Sequence, residues 1–261
     1  MAAEMTSTSR RLLGGATAVI FVKLALPICR PHDPNDVPLA DNDTFVIATR
    51  KIAHRTGLLH PENLRVYVSS GGETGGSIGA NLRWLNRSSI CVSDMVYESF
   101  FAKTPCDEAL TRDEVEFILA HECTHLAKNH PLSMASFVPP SMLSSVMVAR
   151  RLASRSRAGA ALVSVGLLAL SGMGLSWRME YEADHGAAAL GASYRSGGVD
   201  MLERTRRQNC MLKQMWPTRL ITDEGNYLAD TAHPWLTSRI RHLELLNQLE
   251  STTACAFCST F

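Results

Sequence analysis

Net charge is nearly missing from this sequence. Its 261 residues sum to a formal charge of +1, and lysine and arginine are scattered with no long basic block. That balance gives no electrostatic footprint for nucleic acid and no pull toward an acidic partner. A disulfide framework is missing too. The seven cysteines, Cys29, Cys91, Cys106, Cys123, Cys210, Cys255 and Cys258, show no framework spacing apart from one C-x-x-C near the end. Their odd number leaves at least one thiol free or paired between chains. There is no internal repeat. A phosphate loop fits poorly: in "GGETGGSIGANLRWLNR", Gly71-x-x-x-x-Gly76 is followed by Ser77, with no lysine to reach a phosphate. The dinucleotide spacing fails there as well, and the stretch reads as a long hairpin connection.

Apolar residues are present in ordinary proportion but unevenly placed. Arg10 and Arg11 precede an apolar run, Leu12 to Ile28, broken by Lys23. At about 17 residues it sits at the lower limit for a membrane span. Residues 1–30 therefore read as an anchor or targeting segment. "PHDPNDVPLADND" follows as a linker by composition. "TFVIATRKIAHRTGL" has helical spacing. "NLRVYVSS" alternates as a strand, "SSICVSD" is its expected neighbour, and "MVYESFF" a helix after it. Two further apolar segments lie at Leu132 to Val148, which contains Pro139-Pro140, and at Ala158 to Trp177, which has no charge. The second is long enough to span a bilayer, so 132–177 is expected to form a transmembrane or re-entrant helical hairpin. The rest reads as helical, with Pro234 suited to a first helical position. The fold class expected is mainly α with a small β-sheet, in one domain over 31–250 and a tail over 251–261.

The chemistry concentrates in "TRDEVEFILAHECTHLAKNH". Thr111 and Glu114 make a capping box for a helix starting near Arg112, and His130-Pro131 ends it. His121 and His125 lie four apart, so both imidazoles leave the same helix face. Two neutral imidazoles can hold a zinc ion. Glu122 on the neighbouring flank can take a proton from a water whose pKa zinc lowers to about 7. The bland alternative is a chance motif with histidines satisfied in a core. A catalytic zinc needs a third protein ligand. Pro131 occupies the position where one zinc-peptidase class carries a further histidine, so that class is excluded. "WRMEYEADHGAAALGA" offers Glu180 and Asp184 four apart, so one carboxylate can bind metal while the other supports the site. Small residues after Asp184 suit close helix packing.

"HECTHLAKNH", "RMEYEADHGA" and "AHPWLTSRI" resemble, in order, three signatures of the membrane-linked zinc endopeptidases of the HtpX, CaaX prenyl protease and mitochondrial Oma type. The resemblance covers roughly Asp43 to Gln248. It implies a zincin-like domain with one Zn²⁺ per chain, held by His121, His125 and Glu180. It also implies Glu122 as base, Asp184 orienting a ligand, His233 stabilising the oxyanion and Arg239 bracing the site. A polypeptide substrate would lie along the strand around Ser88 to Ser93, taken as a sheet edge. Bacterial members often carry glycine where Thr124 sits. Cys123 points away from both histidines and reads as a packed thiol. His130 and His185 read as structural or solvated.

His125 and Glu180 must meet, so the chain between them returns to one side: two membrane spans or none. The loop carrying Arg150, Arg151, Arg155 and Arg157 would then lie across the membrane from the zinc. The positive-inside rule, with Arg10 and Arg11, places the catalytic domain on the non-cytoplasmic side: periplasm, intermembrane space or lumen. Two other functions stay open. One is a non-catalytic membrane adaptor with a structural zinc site, against which Glu122 argues, because a staple needs no base. The other is a thiol-regulated protein using Cys255 and Cys258.

Overall fold

Alternation in "RVYVS" and "SSICVS" builds the sheet, and helical periodicity builds nearly everything else. The computed structural model describes residues 37–69, 75–84, 86–102, 109–152 and 156–258. The apolar run Leu12–Ile28 lies outside the described residues.

Strand β1 (Val37–Pro38) leads to helix α1 (Thr44–Thr56). Asp43 starts that helix by accepting the Phe45 N–H at 2.7 Å. Gly57 ends it at φ 92°, a left-handed conformation that costs glycine nothing. Strands β2 (Arg65–Ser69), β3 (Gly75–Asn81) and β4 (Asn86–Ser93) complete a sheet in the order β1-β2-β4-β3. β2 and β4 are parallel, with Val66 opposite Ile90. β3 and β4 are antiparallel, with Gly75 opposite Val92.

Two expectations change here. Part of the glycine-rich stretch is a strand rather than a connection. The edge beyond β4 is therefore β3, and Ser88 to Ser93 are interior. Three glycines in seven residues leave β3 no apolar alternation to read; its register is set by backbone bonds to β4 and by Asn81, whose N–H is accepted by Asn129 Oδ1 at 2.6 Å.

Helix α2 (Asp94–Phe101) follows, capped by Ser93. Helix α3 (Arg112–Ala127) opens with the expected capping box. Thr111 Oγ1 accepts the Glu114 N–H at 3.2 Å, and Glu114 Oε2 accepts the Thr111 N–H at 2.6 Å. Asn129, at φ 58°, separates it from α4 (His130–Leu152). Helices α5 (Arg157–Ala188), α6 (Ala192–Met215) and α7 (Leu236–Cys258) complete the chain. α7 starts two residues beyond Pro234 and runs on to Cys258, into the segment read as a tail. Its start is fixed from outside: Asn226 Oδ1 accepts the Thr237 N–H at 3.1 Å, capping the helix from the preceding loop.

Helix α3 is the axis of the core. It contacts α1, β3, β4, α5 and α6. Phe45, Leu64, Ile90, Phe117, Leu119 and Leu126 are fully buried around it. α6 crosses it closely at Gly197 and Gly198. A Cβ on Gly197 would lie 2.2 Å from the Asp113 carbonyl oxygen, and one on Gly198 2.5 Å from the Phe117 ring. Arg204 of α6 then reaches the buried Glu114, with Nε donating to Oε1 at 2.9 Å and Nη2 to Oε2 at 3.1 Å. Thus the first turn of α3 is held by a cap and an ion pair together.

α4 and α5 fold back on each other, and Ser164 Oγ donates to the Ser145 carbonyl at 2.8 Å. They are not core helices: only 11% of the apolar window of either is buried. Leu162, Val165 and Leu170 are exposed. Both are long and apolar enough to cross a membrane. α5 then continues past Trp177 into the domain, so one helix joins the apolar hairpin to Glu180 and Asp184.

Candidate metal centre

Four elements converge on one point. α3 supplies His121 and His125, and α5 supplies Glu180 and Asp184. α7 supplies Arg239, and the loop before α7 supplies His233. Every residue expected at the site is brought to it.

His121 Nε2 lies 3.1 Å from His125 Nε2 and 3.4 Å from Glu180 Oε2. His125 Nε2 lies 3.3 Å from Glu180 Oε1. A tetrahedral zinc with ligand bonds of about 2.0–2.1 Å requires donor atoms about 3.3–3.4 Å apart. The triangle therefore already has the edges of a metal site, and its three donors could hold one ion. The donor set, two imidazoles and one carboxylate, is the borderline-soft N/O combination zinc accepts.

The electrostatics point the same way. Burial alone would push the His121 imidazole down, but the Asp184 and Glu180 carboxylates beside it hold it up, at about 10. These carboxylates call for a cation between them, and a metal can take the place of that proton. His121 Nδ1 lies 3.0 Å from Asp184 Oδ1, so that ring nitrogen faces the carboxylate and Nε2 is turned to the site. Arg239 is buried behind both carboxylates. It donates from Nε and Nη2 to Asp184 at 2.8 and 2.7 Å, and its Nη1 lies 3.3 Å from Glu180 Oε2. Burial would lower the guanidinium's pKa, but Asp184 and Glu180 raise it above its ordinary value.

A cavity of about 370 Å³ opens beside the triangle, lined by Glu122, His233, Met201, Tyr227 and Trp235 among others. Glu122 sits half-buried on its wall. The edge strand closes in at Gly75: a Cβ there would approach Glu122 Cγ to 3.2 Å. His233 is the most exposed member. Its Nε2 lies 3.9 Å from Glu180 Oε1, and its Nδ1 lies 2.9 Å from Asp230 Oδ2. The other Asp230 oxygen accepts the backbone N–H groups of Ala232 and His233, each at 3.0 Å. The loop is docked on α5, where Ser176 Oγ donates to the Ala232 carbonyl at 2.6 Å.

Cys123 is buried and turned to the Thr49 carbonyl, away from the histidines, as its helical position implies. Burial also pushes its thiol up. His185 is exposed. Thr124 is buried, with its Oγ1 donating to the Ala120 carbonyl at 2.8 Å, and it meets α5 at Gly186. A Cβ on Gly186 would lie 2.4 Å from Thr124 Cγ2, so the small residue at this crossing is on α5 rather than α3. Sequence reasoning missed Asp230, whose three-residue spacing from His233 was the available signal. It also placed His130 too loosely. That side chain is 5% exposed, and its Nδ1 lies 2.9 Å from His125 Nδ1.

No curated protein and no solved structure matches this chain. Residues 53–247 match the model of peptidase family M48. That span contains the His121–His125–Glu180 triangle, Glu122, Asp184, His233 and Arg239. The match agrees with the geometry, and the chain belongs to peptidase family M48, the metallopeptidases of the HtpX and Oma type.

Proposed function

We propose that this metallopeptidase is a zinc-dependent endopeptidase anchored in a membrane by its apolar hairpin. The observation that carries the proposal is the His121–His125–Glu180 triangle, with edges of 3.1–3.4 Å, opening on a cavity walled by Glu122. Zinc held there would polarise the scissile carbonyl and lower the pKa of a water to about 7.

The chain's own residues do the rest. Glu122 accepts the proton of the attacking water and passes it to the departing amine, which needs a carboxylate free to move between two oxygen sites. His233 Nδ1 lies 2.9 Å from Asp230 Oδ2 and its Nε2 faces the cavity; as an imidazolium, held by Asp230 at Nδ1, the ring would carry a second proton on Nε2 to meet the developing oxyanion. Asp184 and Arg239 keep His121 and Glu180 in place. An extended peptide pairs with the outer edge of β3, where Gly75 leaves room beside Glu122. Backbone pairing is indifferent to side chains, which suits cleavage within varied, unfolded segments.

The substrates proposed are exposed or misfolded segments of membrane proteins, so the role is quality control or processing. The Trp177–Trp235 contact supports this, because Trp235 lines the cavity and Trp177 is the last residue of the uncharged run of α5. The arginines where α4 ends and α5 begins, Arg150, Arg151 and Arg157, favour a catalytic domain on the non-cytoplasmic side. A non-catalytic adaptor with a structural zinc would need neither Glu122 nor an open cavity beside the ligands.

The test is elemental analysis and casein cleavage on the purified full chain in detergent. Stoichiometric zinc, activity lost to a chelator and activity restored by zinc are expected. Folded protein with no bound metal would sink the proposal.

A further inference from the structure

We infer that His130 and Glu182 are positioning residues for the metal ligand His125, and that through them the apolar hairpin sets the site's affinity for metal. This rests on the zinc-binding function proposed above. His125 uses Nε2 toward the triangle, which leaves Nδ1 to be satisfied elsewhere. That nitrogen lies 2.9 Å from His130 Nδ1. His130 in turn has Nε2 3.3 Å from Glu182 Oε2, and Glu182 Oε1 accepts Arg178 Nε at 2.8 Å.

Proton accounting gives this chain a direction. A carboxylate only accepts, so His130 must donate from Nε2. A neutral His130 then has a bare Nδ1, which must accept. His125 must therefore donate from Nδ1, and its own bare Nε2 lone pair points at the triangle. That is the tautomer a metal requires. His121 has Asp184 Oδ1 3.0 Å from its own Nδ1, so each imidazole ligand faces its own outer group, one a carboxylate and one an imidazole.

The placement adds the second half of the inference. His130 is the first residue of α4, and Glu182 lies on α5, four residues beyond Arg178. These are the two helices of the apolar hairpin. The relay therefore crosses from one hairpin helix to the other at their domain end. A slide or splay of the two helices would lengthen the His130–Glu182 bond and loosen the orientation of His125.

The test is a zinc affinity measurement, by chelator competition, on the full chain in detergent. It compares the parent with His130→Phe, which keeps a ring but no nitrogens, and Glu182→Ala, which alters a side chain 41% exposed. His130→Phe is expected to bind zinc about 10–100-fold more weakly, and Glu182→Ala severalfold more weakly. The melting temperature of the metal-free protein should hardly move in Glu182→Ala, and KM for a peptide should change less than kcat. Cobalt substituted at the site should show a shifted visible spectrum in both variants. Parent-like zinc affinity in folded His130→Phe or in Glu182→Ala overturns the inference. If His130→Phe does not fold, Glu182→Ala decides alone. A parent chain that binds no zinc would instead remove the proposed function on which this rests.

Discussion

Asp184 accepts two hydrogen bonds from Arg239, at 2.8 Å from Nε and 2.7 Å from Nη2, with both side chains buried. This fork ties α7 to α5 directly behind the histidine ligands. Two carboxylates, Asp184 and Glu180, share one buried guanidinium, so charge at the site is compensated from behind as well as in front.

Arg239→Leu should therefore leave two buried carboxylates facing each other. Removing one partner of a buried pair costs about 3–5 kcal/mol. Denaturant unfolding of the metal-free protein should show a loss of that size. Arg239→Lys should not restore it, because a point charge cannot make the two-pronged contact. Near-parent stability of Arg239→Leu would mean that the fork is not holding the site.

Glu114 gives a pH-dependent test. Burial pushes its carboxyl up, but Arg204 and the Thr111 N–H outweigh that and hold it below the ordinary value. A depressed carboxyl contributes stability above its unfolded pKa of about 4.3, and that contribution is lost as pH falls through the folded value. Glu114→Gln should thus melt well below the parent at pH 7, and the gap should close below about pH 4. A gap that is constant across this range would assign the loss to packing rather than charge.

Gly75 is the point where the edge strand and the base come together. A Cβ there would lie 3.2 Å from both Glu122 Cγ and Ile118 Cγ2. Gly75→Val should displace Glu122 and lower kcat about tenfold or more, since small misplacements of a reacting group are costly. Zinc content should stay at the parent level. Unchanged kcat would show that the strand yields instead of the carboxylate.

The α3–α5 crossing predicts a paired rescue. Gly186→Ala forces a methyl to 2.4 Å from Thr124 Cγ2 and should cost about 1–3 kcal/mol. Thr124→Ala removes the obstructing atoms, so the double variant should recover most of the loss in a double-mutant cycle. Additive losses would place the strain elsewhere.

The fold was legible where local rules act. The Thr111–Glu114 capping box, the four-residue spacing of His121 and His125, and the uncharged run at Ala158 each depend on neighbours in sequence. So does the spacing of Glu180 and Asp184, and all of these lie as read. What was hidden depends on pairing at a distance. β3 has glycines where a strand would show alternation, so nothing in its own residues marks it as the edge. His130 looked incidental because its partner Glu182 comes from the other side of the hairpin. Asp230 was passed over because a loop acid is usually solvated. Thr124 departs from the glycine that the resemblance led one to expect, and only the facing helix, with Gly186, explains how it fits.

Measuring zinc content and peptide cleavage on the parent and Glu122→Gln side by side tests the central claim most directly. The account predicts one zinc per chain in both, and cleavage at least about 10²-fold slower in the variant, the usual contribution of a general base. Equal cleavage by the two proteins, with zinc present in each, would contradict it.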